Sequence, residues 1–85
     1  MSDDTYLRLY NEIERTIPSI GNGIILPGDT LGYWGFDSLD LAELLINLEE
    51  EFDIEVYSSE LEMMDDTKTI AEIASFIELK RQEGL

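Results

Sequence analysis

Residues 35–53 read Gly35-Phe36-Asp37-Ser38-Leu39-Asp40-Leu41-Ala42-Glu43-Leu44-Leu45-Ile46-Asn47-Leu48-Glu49-Glu50-Glu51-Phe52-Asp53. Projected at about 3.6 residues per turn, the part from about Ser38 to Phe52 divides into two apolar faces. Leu41, Leu44, Leu45, Leu48 and Phe52 fall within about 50° of one direction, the stripe that a helical bundle buries. Each would contribute on the order of 1.5–3 kcal/mol on burial, before entropy is subtracted. Asp37 stands where a carboxylate can accept from an early backbone N–H and cap the helix. Leu39, Ala42 and Ile46 point roughly the other way, among Glu43, Asn47, Glu49 and Glu50. That second strip suits a docking surface, with aliphatic burial and acids that steer a basic partner. It equally suits an ordinary surface, where scattered aliphatics are normal and acids keep the chain in solution. Periodicity alone weighs the two evenly.

Two further segments carry helical periodicity. Tyr6, Tyr10, Ile13 and Ile17 recur at steps of four, three and four, behind Asp3 and Asp4 at the dipole's positive end. Pro18 stops that helix. The last helix begins near Thr69, where Thr69-Ile70-Ala71-Glu72 fits a capping box, and continues with Ile70, Ile73, Ala74 and Ile77 on one face. Lys80 and Arg81 fall in its last turn and Gly84 just beyond. Between Pro18 and Asp37 runs a glycine-rich connection with Gly21, Gly23, Gly28, Gly32 and Gly35. A loop this long needs a job, and Ile20, Ile24, Ile25, Leu26, Leu31 and Trp34 are expected to pack down over the helices. Ile24–Leu26 and residues 54–57 could each form a short strand, and Ser59 to Met64 one short helix. The expected fold is all-α, a single domain over residues 1–85: a small antiparallel bundle of three main helices and a short one, with a long first loop.

The chain has 85 residues, 20 Asp plus Glu, 5 Lys plus Arg, no His and no Cys, for a net charge of −15. Without cysteine there are no disulfides, thiolate zinc sites or cysteine nucleophiles; without histidine the usual general base is missing. An enzyme with its own catalytic apparatus is a poor fit, and no metal site is expected. So anionic a surface repels nucleic-acid phosphate and anionic lipid, leaving proteins with basic patches as partners. No apolar run approaches membrane-spanning length and the N-terminal residues are acidic, so a cytoplasmic, monomeric protein is expected. No Lys or Arg occurs between Arg15 and Lys68, where 13 acids do. Such crowding costs stability through self-repulsion, which implies that the anionic surface is used and that salt or divalent cations tighten the fold. The calcium loop of alternating acids, central glycine and terminal glutamate is absent.

Ser38 itself admits three readings. As a hydrolase nucleophile it fails, since the G-x-S-x-G elbow is missing and no histidine could activate it. As a helix cap it is ordinary. As an acceptor for an attached group it is sensible, because a helix N-terminus tolerates a phosphate. These residues do not decide between the last two.

Asp37-Ser38-Leu39-Asp40, followed by Glu43-Leu44 and by Leu48-Glu49-Glu50-Glu51-Phe52-Asp53, closely resembles the acyl carrier proteins, whose second helix opens on D-S-L and closes on an acidic E-E-x-F-x run. Asp29-Thr30-Leu31 and Trp34-Gly35 look like the family's approach to that site. The specific part of the likeness lies between Asp29 and Val56, and the first and last helices match in position and pattern. The resemblance implies that Ser38 receives phosphopantetheine from coenzyme A, transferred by a separate magnesium-dependent holo-synthase. The arm's thiol would carry an acyl group as a thioester, so the reactive sulfur would belong to the cofactor. It also implies that Asp37, Asp40 and Glu43 meet basic residues of the transferase and of acyl-processing enzymes. Leu39 and Ile46 would give apolar contacts, with Asn47, Glu49 and Glu50 on the same face. An acyl cleft would be lined by Leu44, Leu48, Phe52, Ile70, Ile73 and Ile77. Tyr33-Trp34, Tyr57 and a longer stretch from Ser58 to Thr67 depart from the family's usual pattern. Trp34 is expected to pack, and Met63 and Met64 to fill space beneath a short helix. Fatty-acid synthesis and a specialised lipid or polyketide pathway both remain open. So do an aminoacyl (peptidyl or D-alanyl type) carrier and an acidic interaction module that is never modified.

Overall fold

The computed structural model describes residues 3–18 and 23–83; Ile20, Gly21 and Gly84, and the side chain of Asp3, lie outside that description. Four α-helices follow in order: α1 (Asp3–Thr16), α2 (Ser38–Phe52), α3 (Ser58–Met63) and α4 (Ile70–Glu83). No strand forms among the described residues, and Ile24–Leu26 and residues 54–57 have no regular secondary structure. α1 packs against α2 and α4. One apolar cluster joins them, built from Leu9 and Ile13 of α1, the five residues of the α2 stripe, and Ile70, Ile73, Ala74 and Ile77 of α4.

The glycine-rich loop does have a job, done largely by its backbone. Thr30 and Thr69 form an isolated antiparallel bridge. Leu31 N–H donates to Lys68 O at 3.1 Å and Gly32 N–H to Asp66 O at 2.8 Å. In return Ile70 and Ala71 donate to the carbonyls of Asp29 and Pro27, each at 2.9 Å, which satisfies two N–H groups left open at the start of α4. The approach is tight: a Cβ on Gly32 would sit 3.1 Å from Asp66 O. Gly35 ends a 3-10 turn over Gly32–Trp34 at φ +87, a left-handed conformation that glycine adopts without strain. Leu31 and Phe36 are buried, and Ile25 and Trp34 lean on the core. Ile24 and Leu26, expected to pack down, are exposed instead. Trp34 donates from Nε1 to Asp29 Oδ2 at 3.0 Å, which meets its polar handle while the rings pack.

With five basic residues, the protein sets each against a carboxylate. Arg8 bonds Glu51 at 2.7 Å, Arg15 reaches Glu12 at 3.0 Å, Lys68 faces Glu72 at 3.8 Å and Arg81 lies 3.9 Å from Asp4. The Arg8–Glu51 pair ties α1 to the end of α2, and its hydrogen bond raises the arginine's pKa further. Lys80 is buried, 2.6 Å from Glu60, with its ammonium 4.3 Å from the centre of the Tyr57 ring. Lys80 stands in the last turn of α4, as its sequence position places it, and there its stem continues the apolar stripe while its head clasps α3.

Candidate functional site

α2 starts as its sequence predicts, with one refinement. Asp37 is the N-cap and accepts from Asp40 N–H at 2.8 Å, while Asp40 reaches back to Asp37 N–H at 3.2 Å. This reciprocal box does the capping, so Ser38 is the first helical residue rather than the cap. Ser38 is exposed, as is Asp37. Both neighbouring carboxylates are spent on backbone N–H groups, and the side chain between them stands at the positive end of the helix dipole. A phosphate linked to Ser38 fits that setting: an accessible hydroxyl, no capping duty to lose, and a helix terminus that favours negative charge.

The outer face of α2 divides in a way the sequence did not anticipate. Leu39 and Ile46 are 68% and 55% exposed, and Ala42, Glu43 and Glu50 are exposed beside them. Glu43 and Glu50 pair with no cation among the described residues, so their charge faces outward. Asn47 and Glu49, assigned to the same face, are instead half-buried and committed to the fold. Asn47 donates to Thr16 Oγ1 of α1 at 3.1 Å, and Glu49 accepts from Val56 N–H at 3.0 Å, holding the turn after α2. That turn passes through Asp53 at φ 53.

The residues expected to line an acyl cleft lie packed together. Leu44, Leu48, Phe52, Ile70, Ile73 and Ile77 all belong to the packed cluster, each 6% exposed or less. Two open spaces lie beside that cluster. A groove of about 440 Å³ runs between α3 and α4, walled by Met63, Met64, Phe76 and Leu79, with Glu60, Lys68 and Glu72 among its polar borders. A smaller cavity of about 300 Å³ adjoins Ser38, against Phe36, Leu41, Met64 and Asp66. None of the six expected residues lines either space. Of the two methionines expected as filler, Met63 is 67% exposed on the groove's wall, whereas Met64 is half-buried and packs against the core.

The profile of the family described as "Phosphopantetheine attachment site" matches residues 9–77. An acyl carrier protein of Trieres chinensis is 37% identical over 78 residues, covering 92% of this chain and 94% of that protein. The chain belongs to the acyl carrier protein family. An acyl carrier protein of Bdellovibrio bacteriovorus is 44% identical over 46 residues, 54% of this chain and 55% of that protein. The prosthetic group of this carrier is accordingly a covalently attached phosphopantetheine. No helix among the described residues is long and apolar enough to cross a membrane.

Proposed function

We propose that Ser38 is the attachment point of the phosphopantetheine arm and that the chain carries acyl intermediates between enzymes without catalysing their reactions. What supports this reading is the start of α2, where Asp37 and Asp40 complete the cap and leave an exposed Ser38 free of that task. The arm supplies the terminal thiol that a cysteine-free chain lacks. The chain supplies an accessible hydroxyl, a helix end that tolerates phosphate, and a surface for recognition. The chain has no histidine and the flanking Asp37 and Asp40 are engaged in the cap, so the base that takes the serine proton is assigned to the transferase. Leu39, Ala42 and Ile46 provide the apolar contact of the docking face, with Asp37, Asp40, Glu43 and Glu50 steering basic enzymes to it. Fatty-acid synthesis or a related lipid or polyketide pathway is the setting we assign.

The test is incubation of the purified apo protein with coenzyme A, magnesium and a broad-specificity phosphopantetheinyl transferase, read by intact mass. The wild type gains one phosphopantetheine and Ser38→Ala gains none. An unchanged wild-type mass, or an equally modified Ser38→Ala, contradicts the reading.

A further inference from the structure

Tyr33 is 75% exposed, yet the turn that carries it is held at each residue. Every backbone N–H from Leu31 to Phe36 is bonded, that of Tyr33 to Thr30 Oγ1 at 3.1 Å. The tyrosine ring stands edge-on to Trp34, 5.6 Å between centres, and Trp34 is itself fastened to Asp29 through Nε1. A ring mounted on so fixed a base loses little freedom when it is covered. Tyrosines of that kind carry a large share of the energy of protein interfaces.

The ring also stands near the attachment site. It precedes Ser38 by five residues, which span at most roughly 18 Å, and less here because the chain turns back at Gly35. Asp66, which accepts from Gly32 N–H, lines the cavity beside Ser38. An enzyme acting on the Ser38 hydroxyl through an ordinary interface covers about 800 Å² of the carrier, a patch about 16 Å in radius. Tyr33 falls within it. The charge there differs from that of α2. Residues 30–36 carry none, and Asp29 just before them is turned to Leu26 N–H and Trp34 Nε1. Acids steer an enzyme onto α2, whereas around Tyr33 the chain offers a ring.

We propose that Tyr33 is a recognition anchor: the transferase that modifies Ser38 takes its ring into an uncharged, apolar recess next to the basic strip that meets α2. This rests on Ser38 as the attachment point. The two contacts respond to salt differently. Screening weakens the pull of Asp37, Glu43 and Glu50 on basic residues and leaves burial of the ring in place.

The experiment measures transfer from coenzyme A by the same broad-specificity transferase, with carrier concentration and salt both varied. Tyr33→Ala raises the KM for the carrier roughly fivefold to tenfold, and by the same factor at low and at high salt. The loss appears in KM rather than in kcat. Glu43→Gln raises KM at low salt only. Tyr33→Phe, which keeps the ring, restores most of the loss, and Tyr33→Asp, which sets a charge against the recess, exceeds it. All four variants unfold at the wild type's temperature, because Tyr33 and Glu43 are exposed. A Tyr33→Ala protein with the wild type's KM, a loss that vanishes at high salt, or a loss that Tyr33→Phe does not restore, overturns the anchor alone. A wild type that takes up no adduct overturns the Ser38 reading, and the anchor with it, before any KM is measured.

Discussion

α2 and α3 open in the same way and are held in opposite ways. In each, an acid in the first turn reaches back to the backbone ahead of the helix: Asp40 to Asp37 N–H at 3.2 Å, Glu60 to Tyr57 N–H at 2.9 Å. Yet α2 runs 15 residues and buries five of them, whereas α3 runs six and buries none. A helix of four turns can present a continuous stripe, so apolar burial fixes it wherever the partners lie. A helix of less than two turns cannot, and isolated helices that short are unstable in water. α3 therefore depends on individual anchors, Lys80 at one end and the laced first loop at the other. The long helix is held by pattern and the short one by particular side chains.

That contrast can be broken most forcefully at the stripe. Leu48→Ala should cost about 2–5 kcal/mol, because it empties a site that is 1% exposed. Urea denaturation checks this, and a loss below about 1 kcal/mol would mean that α2 is not held by its stripe. Next comes the anchor of α3. Glu60→Gln should cost about 1–3 kcal/mol by replacing a charge-assisted contact to the buried Lys80 ammonium with a neutral one. Its pH dependence has a defined sign. The hydrogen bond from Lys80 holds the Glu60 carboxyl below its ordinary pKa. The wild type's advantage over the variant is thus full above the unfolded value of about 4.3 and disappears as pH falls through the lowered folded value. Denaturation curves for both proteins between pH 7 and pH 3 test it, and a gap that widens on acidification contradicts the clasp.

Smaller effects sharpen the same comparison. Asp37→Ala should cost about 0.5–2 kcal/mol, the usual worth of an N-cap, in thermal unfolding. Ser38→Ala should stay within about 0.5 kcal/mol, because Asp37 and not Ser38 caps α2. Smallest of all is Leu61→Ala on the outer side of α3, where the residue is 42% exposed and a change beyond about 0.5 kcal/mol is not expected.

The same division governs what could be read from the sequence. Period and capping residues were enough for α2, which starts at Ser38 and ends at Phe52 as read, and for α4, where Thr69 Oγ1 accepts from Glu72 N–H at 3.1 Å and Glu72 returns the bond at 3.0 Å. That box also holds the Glu72 carboxyl below its ordinary pKa. α3 is displaced by one residue from its reading, because a single turn has too few positions to fix its own boundaries. The lacing of the first loop to residues 66–71 was not legible, since backbone hydrogen bonds leave no side-chain pattern. Lys80 did leave a signal: it lies three residues beyond Ile77 on the stripe from Ile73, which marks a buried stem more than a free cation. At the candidate site, Ser38 and its capping acids could be placed by type and spacing. The inward turn of Asn47 and Glu49 could not, because it depends on where Thr16 and Val56 come to rest.

The central claim is tested most directly on the protein purified from its own cells. Peptide mass spectrometry across residues 35–53 should find phosphopantetheine, free or acylated, bonded to Ser38, with the acyl mass naming the cargo. A native population with that peptide wholly unmodified, or with the arm on a different serine, would contradict the account.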